Sequence, residues 1–444
     1  MTPKPSAPQV HIETFGCQMN ESDSELVRSM LKREGFAFTS DRERADVVLV
    51  NTCAIRENAH KKIYAHLSEL KGLKTQRPLV VGILGCMAQN LKAELAEKEP
   101  LVDVLAGPDA YRQLPMLLSN ALEAQEQGFS EKGFALDLSE YETYEGILPD
   151  RDNGVNAWIT VMRGCDNFCS FCVVPYTRGR ERSRAPEAVL AEARDAAARG
   201  FKQITLLGQN VNSYRDGEWD FARLIGAVAD VPGIDRVRFT SPHPKDFPPA
   251  LIAAIAAHPK ICKHIHLPLQ SGSDRILDLM ERAYTGEDYL ALVEHIRTVI
   301  PDVVLTTDII CGFCSESEED FQNTCRMIER VRFDSAYIFK YSERKNTIAA
   351  RKYPDDVPDP IKGARVSRLL EIQRRITLER NRAYIGKDIA ILIERDATRS
   401  SAQGMGKTDG NITVVWDKGT GLFQPGSFIS KRIYEASAAT LYGK

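Results

Sequence analysis

Three cysteines, Cys165, Cys169 and Cys172, fall within eight residues of the stretch RGCDNFCSFCVVPYTRGR at positions 163–180, between a hydrophobic run and a cluster of arginines. The run before them, AWITVMRG, reads as a strand, which puts the cysteines in the loop at its C-terminal end. Three thiolates this close together can wrap three corners of a cubane iron–sulfur cluster and leave the fourth iron open to a substrate. The competing reading is a zinc loop or incidental cysteines. Zinc sites are usually closed by a fourth Cys or His, and none lies in the adjacent loop.

A chain of 444 residues is too long for one ordinary core, and its pattern divides it. Over residues 8–126, apolar runs (VHIETF, DVVLVN, PLVVGILG, VDVLAG) alternate with helical stretches, among them a long helix from about Arg56 to Lys74. This predicts a doubly wound parallel sheet covered on both faces. The acidic stretch 127–150 lacks periodicity and reads as a linker. Residues 151–382 offer six strands, AWITVMRG, KQITLLGQ, DRVRFTS, KHIHLPLQ, VVLTTDIICGF and DSAYIFKYS, each followed by room for a helix. They predict a partial (βα)6 TIM-like barrel whose C-terminal strand ends hold the active site; eight units need more chain than lies before residue 380. After a basic helix, roughly Ile361 to Tyr384, residues 383–444 carry the alternating strands DIAILIERD, NITVVWD, GSFISKRIYEA and TLYG, the pattern of a small β-barrel. The expected fold class is α/β, with a small β-barrel appended.

The remaining cysteines are spread along the chain, which suits core thiols or metal ligands better than a disulfide framework. No apolar run approaches a membrane span, and the N-terminal MTPKPSAPQV lacks a signal-peptide pattern, so a cytoplasmic protein with no membrane partner is expected. Net charge, −3, hides a local asymmetry: residues 340–387 hold thirteen Lys/Arg against six Asp/Glu.

The triplet after the first strand of a six-unit barrel resembles the radical S-adenosylmethionine superfamily. That resemblance implies an open iron chelating S-adenosylmethionine and its one-electron cleavage to a 5′-deoxyadenosyl radical. Three further cysteines then stand out. Cys17 follows HIETFG, Cys53 follows VVLVNT and Cys86 follows VVGILG, each at the end of one of three successive strands. In an open parallel sheet those ends share one edge. Each alone reads as a small core residue, but their common position in the βα repeat points to a second three-cysteine cluster.

Two such clusters, the barrel and a terminal β-barrel similar to the RNA-binding TRAM module together resemble the methylthiotransferases. The resemblance covers the chain from Thr14 onward and is carried by TFGCQMNESDSE, NTCAIRE, GCMAQ, MRGCDNFCSFCVVPYTRGRERSR, LLGQNVNSY, RFTSPHP and HLPLQSGS. The wording after the first cluster cysteine is nearest the branch that methylthiolates C2 of N6-isopentenyladenosine beside the tRNA anticodon. Related branches act on N6-threonylcarbamoyladenosine or on an aspartate of ribosomal protein S12. A non-catalytic iron–sulfur RNA-binding or electron-transfer protein is the alternative from another class.

The resemblance implies two [4Fe-4S] clusters, S-adenosylmethionine as radical source and methyl donor, tRNA as partner, a donor such as flavodoxin or ferredoxin, and a monomer. Gly208, Gln209, Gln270, Ser271 and Thr307, at strand ends, are candidate S-adenosylmethionine contacts; ordinary turn chemistry is their alternative. Arg178, Arg180 and Arg182 beside the cluster loop, with Arg374 and Arg375 in the basic helix, are candidate tRNA contacts, against the alternative of a solvated face. The CGFC segment at 311–314 ends a barrel strand rather than opening a helix, so Cys311, Cys314, Cys262 and Cys325 are read as non-ligands.

Overall fold

The computed structural model describes residues 7–54, 57–151, 154–419 and 423–444; within helices the side chains of residues 57–62, 93 and 96 are not described. The expected helix start at Arg56 lies outside the described residues, and the helix runs Glu57–Gln76.

The N-terminal sheet has six parallel strands in the order Ala37–Phe38, Gln9–Phe15, Val47–Thr52, Val80–Gly85, Val104–Ala106 and Gly133–Ala135. The central strands VVLVNT and VVGILG are buried along their whole length. Helices Gln18–Arg33 and Leu114–Glu126 cover one face, and helices Glu57–Gln76 and Cys86–Lys98 the other, giving two separate apolar cores. Buried on both sides, such strands read as continuous hydrophobic runs, which is why they were visible in the sequence.

Residues 127–150 are not a free linker. Gly133–Ala135 pairs with Val104–Ala106 as an edge strand, and Tyr144 and Ile147 enter the core beneath helix Gln18–Arg33. Tyr144 donates from its hydroxyl to the Pro108 carbonyl at 2.8 Å, buried in a position that an acidic, aperiodic sequence gives no sign of.

The barrel consists of two parallel three-stranded sheets, Arg236–Phe239, Gln203–Leu207, Asn156–Thr160 and His264–His266, Val304–Cys311, Ser335–Lys340. A parallel bridge between Val237 and Ile261 joins them, with Val237 N–H donating to Lys260 O at 2.8 Å. Asn156–Thr160 and Ser335–Lys340 do not pair with each other, so the barrel is open along one side. All six expected strands are present.

The C-terminal unit is a closed five-stranded barrel in the order Asp388–Ala397, Ser400–Lys407, Thr413–Asp417, Leu441–Gly443, Phe428–Ala436. Sequence reading missed Ser400–Lys407, whose SSAQGMGK lacks β-branched residues. Its glycines explain the composition: a Cβ on Gly406 would lie 2.2 Å from Leu392 O. This barrel touches the larger one at the starts of its strands, away from the cysteine loop. Arg236 donates to Lys407 O at 2.8 Å, and Arg238 to Thr408 O and Asp409 O at 2.7 and 2.8 Å.

Candidate active site

Cys17, Cys53 and Cys86 follow three adjacent strands whose ends are in register, Phe15 with Thr52 and Thr52 with Gly85. The turns carrying them are crowded. A Cβ on Gly16 (φ 153°) would lie 2.8 Å from the Cys53 Cβ, and one on Gly85 (φ 86°) would lie 2.4 Å from Asn51 Oδ1 and 2.7 Å from Thr52 O. Glycine is the residue that lets these turns close on one another. Asn20 ties two of the turns together, accepting from Cys17 N–H at 3.3 Å and donating to Asn51 Oδ1 at 3.0 Å. Cys17 caps the start of helix Gln18–Arg33 and Cys86 opens helix Cys86–Lys98, so two of the three thiols stand where a helix dipole favours negative charge. A hydrogen bond from the Cys53 thiol outweighs burial, and with the Arg178 charge it pulls the Cys17 thiol down to about 6.

Cys165, Cys169 and Cys172 occupy the loop beyond strand Asn156–Thr160, as expected. Cys165 and Cys169 are buried, and Cys172 is half-buried. The loop is pinned by Cys165 N–H to Gly179 O at 3.1 Å and by Cys172 N–H to Cys169 O at 2.9 Å. Burial pushes the Cys165 thiol up to about 11; burial and then the neighbouring Cys169 push Cys172 up to about 12. Thiols crowded in this way resist ionisation unless a cation neutralises them.

The two sets meet. Val173, next to Cys172, forms a small buried cluster with Cys86 and Ala54. Arg178 follows in the same segment and donates from Nε to Cys86 Sγ at 3.2 Å.

Among the described residues no three Cys, His, Asp or Glu side chains are gathered as one metal ion requires. A cubane spreads its thiolates over separate irons, and its ligands stand apart. The donor set fits such a group: three thiols per set, hydrogen bonds to Cys86 Sγ from Arg178 and to Cys169 Sγ from Arg282, the latter at 3.2 Å, and one set at a sheet edge where two helices begin.

Of the expected S-adenosylmethionine contacts, Gln209 and Gln270 keep buried amide atoms without a partner: both Gln209 side-chain atoms and Gln270 Oε1. Such orphans call for a ligand. Gly208 is glycine for packing, since its Cβ would lie 2.7 Å from Met162 Cγ. The hydroxyls of Ser271 and Thr307 already have partners within the chain. Thr307 Oγ1, fully buried, donates to Leu267 O at 2.8 Å and accepts from Leu269 N–H at 2.9 Å. Ser271 Oγ accepts from Ser273 N–H at 3.2 Å and is shared with Thr324. Both hydroxyls brace the fold.

Comparison with known proteins agrees with this geometry. Residues 9–107 match the family described as "Uncharacterized protein family UPF0004", and residues 159–328 match the "Radical SAM superfamily". A protein of Porphyromonas gingivalis (strain ATCC BAA-308 / W83) named tRNA-2-methylthio-N(6)-dimethylallyladenosine synthase is 47% identical over 98% of this chain and 94% of its own length. A protein of the same name from Chlorobium phaeobacteroides (strain BS1) is also 47% identical, over 98% and 96%. The chain belongs to the radical S-adenosylmethionine methylthiotransferase family. A [4Fe-4S] cluster and S-adenosylmethionine are the cofactors that the superfamily implies. Solved structures share the fold: the radical S-adenosylmethionine methyltransferase TsrM from Kitasatospora setae aligns with TM-score 0.56 at 14% identity, over 78% of this chain and 77% of that one. The cobalamin-dependent enzyme OxsB aligns at 0.53 and 13%, over 83% and 56%.

The arginines of this methylthiotransferase are not one patch. Arg178 and Arg182, expected on tRNA, are buried between the first two domains. Arg178 pairs with Asp23 at 2.7 Å and Arg182 with Asp109 at 2.8 Å. Arg163 also reaches Asp23, at 2.8 Å, and stacks over the Tyr144 ring. Burial opposes the Arg178 charge, yet Asp23 beside it holds its pKa well above the ordinary range. Arg180 is exposed, paired with Asp166 at 2.8 Å and lying over Phe168. In the helix Asp359–Arg382, Arg375 pairs with Glu329 at 3.0 Å and Arg380 with Asp334 at 2.5 Å, whereas Arg374 is exposed and in no ion pair among the described residues. Glu329 of helix Glu318–Val331 and Asp334 in the loop after it, both distant in sequence, pair with two of the arginines of this helix.

Sequence reading missed Asp23, Arg163 and Arg282. Arg282, inside MERAYTG, is buried and contacts Cys169 Sγ, Pro268 O and Tyr284. Nothing around it in the sequence marks it. Asp23 lies in the quoted motif NESDSE, yet only the fold brings two arginines onto its carboxylate.

Proposed function

We propose that this chain methylthiolates C2 of N6-isopentenyladenosine at position 37 of tRNA. The observation that carries the reading is the juxtaposition of two three-cysteine sets at one domain interface, in a chain 47% identical over 98% of its length to synthases of that name.

Cys165, Cys169 and Cys172 hold the radical cluster, and Cys17, Cys53 and Cys86 hold a second [4Fe-4S] cluster. When bound, these groups and S-adenosylmethionine supply one-electron sulfonium cleavage, hydrogen removal from C2, and a sulfur methylated by a second S-adenosylmethionine. Gln209, both of whose amide atoms lack a partner, and Gln270, whose Oε1 lacks one, would hold the cofactor's amino-acid end, Gln270 by accepting from its amino group, with the Gly208 backbone alongside. Removal of a hydrogen atom needs no base. Burial, with Arg282 and Lys245 nearby, presses His243 down to about 2, so it stays neutral and only orients.

The open side of the barrel admits the base. In the register Asp308 with Tyr337 and Ile310 with Phe339, the edge strand turns two exposed aromatic rings, 56% and 47% accessible, to the inner face, where a flipped adenine can stack. Arg180 and Arg374, with the TRAM-like barrel, supply contacts to the RNA backbone. The chain works as a cytoplasmic monomer with a flavodoxin- or ferredoxin-type electron donor; among the described residues no helix is long and apolar enough to cross a membrane.

The test is anaerobic turnover of the reconstituted protein with S-adenosylmethionine and reductant on three substrates. These are tRNA carrying isopentenyladenosine, tRNA carrying threonylcarbamoyladenosine, and ribosomal protein S12. The methylthio product should form on the first alone; product on either of the others refutes the assignment.

A further inference from the structure

Arg178 belongs to the barrel's cysteine loop, six residues after Cys172, yet none of its contacts with Cys86 and Asp23 lies in the barrel domain. Its guanidinium is held by Asp23 at 2.7 Å, through a carboxylate with no exposure at all, and Arg163 fixes the other oxygen of that carboxylate at 2.8 Å. So clamped, Nε donates to Cys86 Sγ at 3.2 Å. A third nitrogen, Nη1, is buried without any acceptor. A clamped cation aimed at a ligand sulfur, with a donor to spare, is an incomplete site. Two thiols, Cys86 and Cys17, and the Tyr111 hydroxyl stand around it, and Asp23 is the carboxylate that pairs with it. Arg182 makes the contrast: it is equally buried in the same interface, but its partners are Asp109 and main-chain carbonyls, with no sulfur.

We propose that Arg178 is a positioning residue through which the radical domain sets the reduction potential of the N-terminal cluster, by a charge-assisted hydrogen bond to Cys86 Sγ that exists only when the two domains are docked. This rests on the assignment of a second cluster to Cys17, Cys53 and Cys86. A reduced cluster carries one more negative charge than an oxidised one, so a fixed cationic donor on a ligand sulfur stabilises the reduced form. Without it the cluster becomes harder to reduce. The contact therefore links the electronic state of the sulfur-bearing site to the docking of the domain that generates the radical.

The experiment uses the full chain with Cys165, Cys169 and Cys172 all changed to Ala, reconstituted anaerobically with iron and sulfide so that only the N-terminal site can load. Iron per chain is measured first, then the midpoint potential by redox titration followed by electron paramagnetic resonance. Arg178→Gln should lower the midpoint by at least the equivalent of tenfold in the reduced-to-oxidised ratio, ~59 mV for one electron. Arg178→Lys, which keeps a charge for Asp23 but has no planar fork, should fall between, and Arg182→Gln should leave the midpoint unchanged. If Arg178→Gln fails to load, Arg178→Lys decides the matter by its midpoint. An unmoved midpoint in a loaded Arg178 variant, or an equal shift in Arg182→Gln, overturns the proposal. Absence of iron while Arg178 is intact refutes the second cluster itself, a failure recognised by the iron count before any potential is read.

Discussion

Replacing Asp23 with Asn is the sharpest perturbation of the architecture. Asn keeps the shape of the side chain and removes its charge. Asp23 has no exposure, and two guanidiniums rest on it, Arg163 at 2.8 Å and Arg178 at 2.7 Å, each nearly as buried. Desolvation makes such a network a doubtful net gain over an apolar one, but removing a single partner is different, because the charges left behind stay buried and uncompensated. That costs roughly 3–5 kcal/mol per broken pair. The two arginines share one carboxylate, so the lower figure is a floor, against a total stability of about 5–15 kcal/mol. Calorimetry of the metal-free chain should show the transition involving the N-terminal domain lowered by on the order of 10 °C, and protease should cut sooner within residues 127–151, where Tyr144 and Ile147 pack into the N-terminal core. Glu329→Gln, which breaks an exposed pair with Arg375, is the control and should cost no more than about 1 kcal/mol. If Asp23→Asn melts like Glu329→Gln, the interface is not held by this network.

Cys53→Ala should leave 5′-deoxyadenosine formation from S-adenosylmethionine intact and abolish sulfur insertion, both read by chromatography of one reaction; loss of both activities refutes separate roles for the two sets. Arg374→Ala should weaken tRNA binding several-fold and lower the slope of log affinity against log salt by about one, measured by filter binding, whereas Arg375→Ala, already paired, should change it less. Glu25 gives a pH signature. Burial outweighs its attraction to Arg151 and, with Glu192 repelling it, lifts its carboxyl to about 7. A raised folded-state value means that the folded chain holds the proton more tightly. The stabilisation is complete below the ordinary carboxylate range near 4.5 and is lost as pH rises through about 7. Glu25→Gln should flatten roughly 2–3 kcal/mol of that fall in urea-unfolding curves taken between these limits.

What the sequence revealed and what it hid follow from local and non-local causes. The buried strands VVLVNT and VVGILG announced themselves because a strand covered on both faces must be apolar throughout. The cysteines were legible because a repeated βα unit returns each strand end to one edge, so their common position after three successive strands, taken with the resemblance carried by the barrel triplet, put Cys17, Cys53 and Cys86 together. The edge strand Gly133–Ala135 was hidden, since three residues paired on one side need no hydrophobic pattern. Ser400–Lys407 was hidden by glycines that admit Trp416 and the Leu392 backbone. The arginines misled. Arg178 and Arg182 read as a surface for phosphate, and their burial depends on Asp23 and Asp109, acids from another domain. The backbone partners of Thr307 and Ser271 were equally invisible, since a hydroxyl at a strand end gives no sign in sequence of the carbonyl or N–H it will meet.

The central claim is that this chain installs the methylthio group on isopentenyladenosine in tRNA through the cysteine loop of the barrel. Mass spectrometry of nucleosides from bulk tRNA tests it directly, in cells lacking the protein, cells restored with it, and cells restored with Cys169→Ala. The account predicts that 2-methylthio-N6-isopentenyladenosine is present only in the second, with the unthiolated nucleoside accumulating in the other two. An unchanged nucleoside profile in cells lacking the protein would contradict it.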